Sequence, residues 1–295
     1  MTDDPKTEGP GEDNPFRLRD DELASRPTIF ASDLLDGQVV LVSGGASGIG
    51  RATAWLAARL GAKIVVAGRT EEKLKAVTEQ LTVRGLKASY ATANIRDREA
   101  VDTLFRGVMD THGRLDLLIN SAGGQFPQPA IDYSQGGWTA VIDTNLNGTF
   151  NMMQAAARMW RDAGTPGSIV NLVTVMRGLH GVAHSLAARA GVIAFSECVS
   201  VEWAPLKIRI NCVAPGSVKT EGWRVYPEEA LLTYPTNNPT MRVGDPWEIA
   251  QACLYIGGPA AGYITGETLT IDGGGQHWGE IWTTGKPDFF ASRGG

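Results

Sequence analysis

From residue 37 onward the apolar positions fall into a rhythm. QVVLVS (38–43), KIVVAG (63–68), LDLLIN (115–120), GSIVNLVTV (167–175) and IRINCVA (208–214) are strand-length runs, apolar almost throughout. KASYATA (87–93) is a weaker strand, and a last one is expected at 267–271. Between them lie stretches with helical spacing: 48–61, 71–85, 97–113, 137–162, 184–204 and 246–257. Strands without polar alternation, each followed by a helix, predict a parallel sheet buried on both faces. The expected fold is therefore α/β, a single-domain Rossmann-like doubly wound parallel sheet of about seven strands with helices on both faces. No internal linker or repeat interrupts it, so one domain is assigned to 35–275. A flexible polar arm (1–34) precedes it. A tail (276–295) follows, expected to form a subunit interface or lid through Trp278, Trp282, Phe289 and Phe290. Residues 217–241 break the rhythm with Gly222, Pro227, Pro235 and Pro239, which predicts a loop or short-helix lid over a site.

Composition narrows the classes. The chain has 295 residues, 43% of them apolar, and a net charge of −5 without a basic block. Nucleic acid is excluded as an expected partner. No apolar run reaches membrane-spanning length. The acidic start, MTDDPKTEGPGEDNPFRLRDDELASRP, has the character of neither a secretory signal nor a transit peptide. A cytoplasmic location is expected, with Cys198, Cys212 and Cys253 as free thiols and no metal site.

The candidate chemistry starts at SGGASGIG (43–50), between the first strand and the first helix. Gly44, Gly48 and Gly50 permit a tight turn and close approach of backbone to ligand, and Ser47 offers a hydroxyl. The helix opening there points free N–H groups and its positive end into the loop, a field that suits a pyrophosphate. After a strand and before a helix, at the head of a βαβ unit, this is a dinucleotide site. An NAD site would place an acidic residue after the second strand to accept from the ribose 2′-hydroxyl. Here Arg69 stands in that place, and Arg51 lies at the start of the first helix. Both can neutralise a 2′-phosphate, so NADPH is the expected cofactor, the alternative being two solvated arginines.

SGGASGIG, NSAG (120–123), NLNGTF (145–150), GSIVNLVT (167–174), IRINCVAPGSVKT (208–220) and YITGETLTIDGG (263–274) resemble the short-chain dehydrogenases/reductases. The resemblance implies a nicotinamide cofactor and a homotetramer. It implies that Ile49 joins the loop glycines at the cofactor and that Asn94 and Ile95 flank the adenine. Asn120, Ala122 and Gly123 would line the cofactor, and Pro215, Gly216 and Val218 would lie by the nicotinamide. Asn145 matches the family's proton-relay asparagine, and Thr174 takes the place of its serine. The family's tyrosine and lysine are replaced by Ser185 and Arg189, within HSLAARAGV (184–192).

That exchange sets the functional expectation. Ser185 and Arg189 are four residues apart and share a helix face. His184 should point about 100° away from Ser185, and it and His180 are weak candidates for substrate contact. No tyrosine stands between Tyr133 and Tyr226, so no relocated phenol lies nearby in sequence. Serine titrates too high, and arginine holds its proton too tightly, to replace the phenol as acid or base. Conjugate reduction asks for less. Charge builds on a carbonyl oxygen, which fixed hydrogen-bond donors can steady. HSLAARAGV, VEWAP and RINCVAPG are moreover similar to the trans-2-enoyl-CoA and 2,4-dienoyl-CoA reductase branch of that family. The expectation is an NADPH-dependent reductase of an acyl-CoA thioester C=C bond. The alternatives are a carbonyl/alcohol oxidoreductase with a non-standard acid/base, and a cofactor-binding scaffold or sensor with little catalysis.

Overall fold

The structure, a computed structural model, describes residues 14–279 and residue 283. Seven parallel strands run β1 Val39–Ser43, β2 Lys63–Gly68, β3 Ala88–Thr92, β4 Leu117–Asn120, β5 Gly167–Leu172, β6 Ile208–Pro215 and β7 Thr268–Ile271. Their order in the sheet is β3-β2-β1-β4-β5-β6-β7. The chain thus winds outward from β1 one way, returns, and winds the other way, so a crevice opens where β1 and β4 diverge at their C-terminal ends. The register pairs apolar with apolar: Val40, Leu41 and Val42 face Ile64, Val65 and Val66 on one side and Leu117, Leu118 and Ile119 on the other.

Helices cover both faces because both sides of each central strand are apolar. α1 Asp20–Ser25, α2 Gly48–Arg59, α3 Glu71–Thr82 and α9 Pro246–Gly257 pack on one face, around Val40, Val42, Trp55, Leu56 and Trp247. α4 Arg98–His112 and α6 Thr149–Ala163 pack on the other, around Leu41, Phe105, Met152, Met153 and Trp160. α7 Ala183–Trp203 runs beside α6. Helix ends follow local chemistry: the Asp97 carboxylate accepts from the amides of Glu99 and Ala100 to open α4, and Gly113 at φ 71° closes it. The helix expected over 137–162 is interrupted. α5 Gln135–Ile142 passes through a π-helical stretch, Asp143–Gly148, into α6. The extra residue in that turn presents Asn145 to the crevice, as such bulges often do at functional sites.

The flexible arm expected over 1–34 is corrected over its described part. α1 carries Leu23, which is fully buried. Arg59 donates to the carbonyls of Leu23 and Arg26 at 3.0 and 2.8 Å, and the Trp247 indole donates to that of Pro27 at 2.9 Å. Arg26 pairs with Asp245 at 2.6 Å. The segment is polar by composition, so much of its anchoring comes from Arg59 and the Trp247 indole, which satisfy its carbonyls, and from the Asp245 carboxylate. Among the described residues no helix is long and apolar enough to cross a membrane. Trp282, Phe289 and Phe290 of the tail lie outside the described residues.

Candidate active site

A cleft of about 490 Å³ lies at the C-terminal ends of β1, β2, β4, β5 and β6. Its floor is the loop from β1 into α2. Gly44 adopts φ +72°, and a methyl there would lie 2.6 Å from the Ala122 amide, so this loop and the end of β4 pack backbone to backbone. Ser47, Gly48 and Ile49 line the cleft at the N-terminus of α2. Gly50 is not among the lining residues. It packs so tightly on the Gly44 carbonyl that a methyl would collide with it.

At one end of the cleft stand Arg69, Thr70, Asn94, Ile95 and Arg96. Lys73 joins them from the first turn of α3. Lys73 is absent from the sequence expectation, although it sits one helical turn after Arg69. Arg51 is a correction. It is 2% exposed, does not line the cleft, and donates through Nη1 to the Leu18 carbonyl at 2.9 Å while Nη2 pairs with Asp20. Burial lowers its pKa and Asp20 opposes that shift. The cation therefore secures the N-terminal segment instead of facing a 2′-phosphate.

Ala122 and Gly123 line the cleft, as do Pro215 and Gly216. Asn120 and Val218 are not among its lining residues. Asn120 is 2% exposed and heads a buried polar ladder. Its Nδ2 donates to Asn171 Oδ1 at 2.9 Å, and Asn171 Nδ2 donates to Ser196 Oγ at 3.0 Å. Val218 is buried and pairs with Gly244 as an isolated bridge.

Asn145, Thr174, Ser185 and Arg189 come together at the other end. Asn145 is a clamp: Oδ1 accepts from the Gly124 amide at 2.9 Å, and Nδ2 donates to the Gly124 carbonyl at 2.9 Å and to Ser185 Oγ at 3.2 Å. Ser185 Oγ thus accepts from the amide and keeps its own proton to donate. Arg189 is 8% exposed, and its Nη1 has no hydrogen-bond partner among the described residues. Burial pushes its pKa down to about 10, with the nearby Cys212 thiol opposing. It remains a cation at neutral pH. Its Nη2 lies so close over Gly123 that a side chain there would collide with it. A buried cation without an anion calls for oxygens that a bound molecule would supply.

His184 is a packing residue and does not reach the cleft. It is fully buried, with Phe126 edge-on at 4.4 Å and Tyr133 stacked at 4.5 Å. Its Nδ1 accepts from the Ser185 amide, and burial lowers its pKa. His180 is exposed.

The expected lid is present over 217–241, as a 3₁₀ turn Glu221–Val225, α8 Glu228–Thr233 and a second turn Tyr234–Thr236. Two of its residues were missed. Glu221 Oε2 accepts from the Gly48 amide at 2.9 Å, placing a carboxylate on the N-terminus of α2. The Tyr226 hydroxyl accepts from Nε2 of Gln125, which lines the cleft. Tertiary structure therefore returns a phenol to the neighbourhood of the site, which the sequence spacing had set aside. Phe16, Trp223, Tyr234 and Tyr226 form a ladder from the N-terminal segment to this phenol, with successive ring centroids 5.6, 5.2 and 5.9 Å apart.

Comparison with known proteins agrees with this geometry. A family model described as "Enoyl-(Acyl carrier protein) reductase" matches residues 44–276. A probable 2,4-dienoyl-CoA reductase of Bacillus subtilis is 37% identical over 247 residues, 81% of this chain and 97% of that protein. A 3-oxoacyl-(acyl-carrier-protein) reductase of Chlamydia muridarum is 33% identical over 246 residues, 82% of this chain and 99% of that one. Among solved structures, the citronellol catabolism dehydrogenase AtuB of Pseudomonas aeruginosa PAO1 superposes with a TM-score of 0.75 at 37% identity, over 84% of this chain and 99% of that one.

Proposed function

We propose that this chain, which belongs to the short-chain dehydrogenase/reductase family, reduces the C=C bond of a 2-enoyl- or 2,4-dienoyl-CoA thioester using NADPH. The family binds NAD(P). Bound NADPH supplies the hydride. Support for the phosphorylated cofactor is the pairing of Arg69 and Lys73 on the cleft wall where an NAD site would carry a carboxylate.

The observation that carries the reading is the donor set at Asn145, Ser185 and Arg189. As the β-carbon accepts hydride, negative charge collects on the thioester oxygen. Ser185, its oxygen already engaged by Asn145, is free to donate its O–H to that oxygen. Arg189 adds a fixed positive charge and an unengaged Nη1 in a desolvated place, where such charge counts most. Neither group has to ionise. Reduction of a ketone instead requires an acid to protonate the new alkoxide, and these two residues supply none near neutral pH.

The 3-oxoacyl-(acyl-carrier-protein) reductase relative favours a second reading, carbonyl reduction of a 3-oxoacyl thioester. One assay separates the two: NADPH consumption with crotonyl-, hexenoyl-, decenoyl- and 2,4-hexadienoyl-CoA, set against acetoacetyl-CoA. The expected result is turnover of the unsaturated thioesters and little of the ketone. Ser185→Ala should lower kcat by roughly 10²-fold, the scale of removing one oxyanion donor, with the Kd for NADPH nearly unchanged. Turnover of acetoacetyl-CoA alone would overturn the reading, and tight NADPH binding with no turnover would favour a sensor. A cytoplasmic homotetramer belongs to the same proposal, and light scattering on the purified protein tests its stoichiometry.

A further inference from the structure

Conjugate reduction ends with a proton on the α-carbon, and the cleft floor holds no group suited to give it. Ser185 is a poor acid, and a proton given up by Arg189 would remove the charge that holds the enolate oxygen. His184 is enclosed by Phe126 and Tyr133. The lid offers what the floor lacks. Tyr226 follows the turn Glu221–Val225 and is half-buried, and its oxygen accepts from Gln125 Nε2. Among the described residues no acceptor is found for its O–H, so the phenol's proton is uncommitted.

Its location is also fixed relative to the donor set. Gln125 follows Gly124, whose amide and carbonyl are both held by Asn145, and Asn145 also holds Ser185. The Gln125 side chain, which lines the cleft where Tyr226 does not, therefore links the phenol to the backbone run that Asn145 clamps. On the far side, Tyr234 and Trp223 brace Tyr226, and Phe16 of the N-terminal segment braces Trp223. Burial raises the pKa of Tyr226, and that of Tyr234 to about 12, so the phenol enters the reaction protonated.

We propose that Tyr226 is the proton donor of this cleft, a catalytic residue delivered by the lid in place of the phenol missing from α7. The inference rests on the enoyl-thioester reading above. Hydride adds to the β-carbon, and the C=C pair shifts to give the enolate. As the enolate carbonyl re-forms, the α-carbon takes the Tyr226 proton. The resulting phenolate is reprotonated by water. The thioester gains two electrons and two hydrogens, and NADPH leaves as NADP⁺.

Two measurements test this. The first is the reduction of crotonyl-CoA in D₂O by wild type and Tyr226→Phe. The variant should lose roughly 10²-fold in kcat, the scale of general acid catalysis, with KM within about threefold. Its product should carry deuterium on both faces of the α-carbon, where the wild-type product carries it on one, because water then supplies the proton. A structural role for Tyr226 would not scramble that face. An unchanged kcat with a single labelled face overturns the proposal.

The second needs no cofactor. With tyrosine labelled at ¹³Cζ, the resonance missing from Tyr226→Phe should move when butanoyl-CoA is added to the cofactor-free protein. A resonance that stays put through saturation of binding also overturns the proposal. Should wild type reduce only acetoacetyl-CoA, the enoyl reading falls. Tyr226 is then judged by kcat on that ketone and by the same resonance.

Discussion

The Asp20→Ala substitution tests how the structure uses Arg51. The Arg51 guanidinium is 2% exposed and rests on two partners, the Leu18 carbonyl and the Asp20 carboxylate. Removing the carboxylate leaves a buried cation with one carbonyl. Breaking a fully buried pair costs about 3–5 kcal/mol. The Asp20 side chain is 23% exposed, so water can reach the vacated place, and about 2–3 kcal/mol is the better expectation. In a domain of this size each kcal/mol lowers Tm by about 2–4 °C, so the melt should fall by roughly 5–10 °C. Arg51→Met in the Asp20→Ala background should restore most of it, because an apolar pair of similar volume needs no desolvated charge. Thermal melts of the four proteins, followed by circular dichroism, complete the cycle. A Tm for Asp20→Ala within about 1 °C of wild type, or a double variant no better than the single, would refute the account. The cycle also decides the role of the cation. If Arg51 met a 2′-phosphate, Arg51→Met would collapse the preference for NADPH over NADH. With Arg51 turned toward the N-terminal segment, that preference should survive.

Three other outcomes are expected. Glu221→Gln should tighten NADPH binding about tenfold in a fluorescence titration, since the carboxylate now on the Gly48 amide repels a pyrophosphate reaching for the same N–H; an unchanged or weaker Kd would count against that competition. Arg69→Ala and Lys73→Ala should each reduce NADPH affinity about tenfold and leave NADH affinity alone, as expected for a charge-assisted contact of roughly 1.4 kcal/mol; equal losses for both cofactors would place the two cations elsewhere. Iodoacetamide should label the native protein once, at exposed Cys198, because Cys212 and Cys253 are buried and burial pushes both thiols up, Cys253 to about 12; mass spectrometry of the labelled native chain would reveal any second adduct.

The sheet was legible because its signal is local. A parallel strand buried on both faces is apolar along its whole length, and every such run from QVVLVS onward became a strand. The glycine loop and the pair Ser185 and Arg189 were legible for a related reason: a strand end and a single helix face bring them to one crevice, where Asn145, legible only from the family motif, joins them from the π-helical stretch. What escaped depends on contacts between distant segments. Arg51 sits in the right loop for a phosphate, yet its guanidinium turns back to residues 18 and 20, a choice that nothing within α2 dictates. Asn120 occupies a cofactor-lining place by motif, but the polar ladder through Asn171 and Ser196 draws it beneath the surface. Tyr226 lies 41 positions beyond Ser185, and only the folded lid brings it to Gln125.

The same contacts explain why Ser185 and Arg189 form a coherent pair. A lysine would put its charge on a flexible stem, whereas the arginine fork reaches over position 123, and it fits there because that position is glycine. Gly123 in turn continues into Gly124, which Asn145 holds at both its amide and its carbonyl. The cation, the serine and the backbone run to Gln125 are therefore set by one clamp. Gly123→Ala would drive a methyl into Arg189 Nη2 and to within 3.0 Å of Asn145 Oδ1, displacing the cation and pressing on the clamp as well. If oxyanion stabilisation is shared as argued, that change should cost turnover on 2-enoyl thioesters nearly as much as Arg189→Ala does, and the two together should cost little more than either alone. Additive losses would mean that Gly123→Ala lowers turnover by some route other than displacing the Arg189 cation.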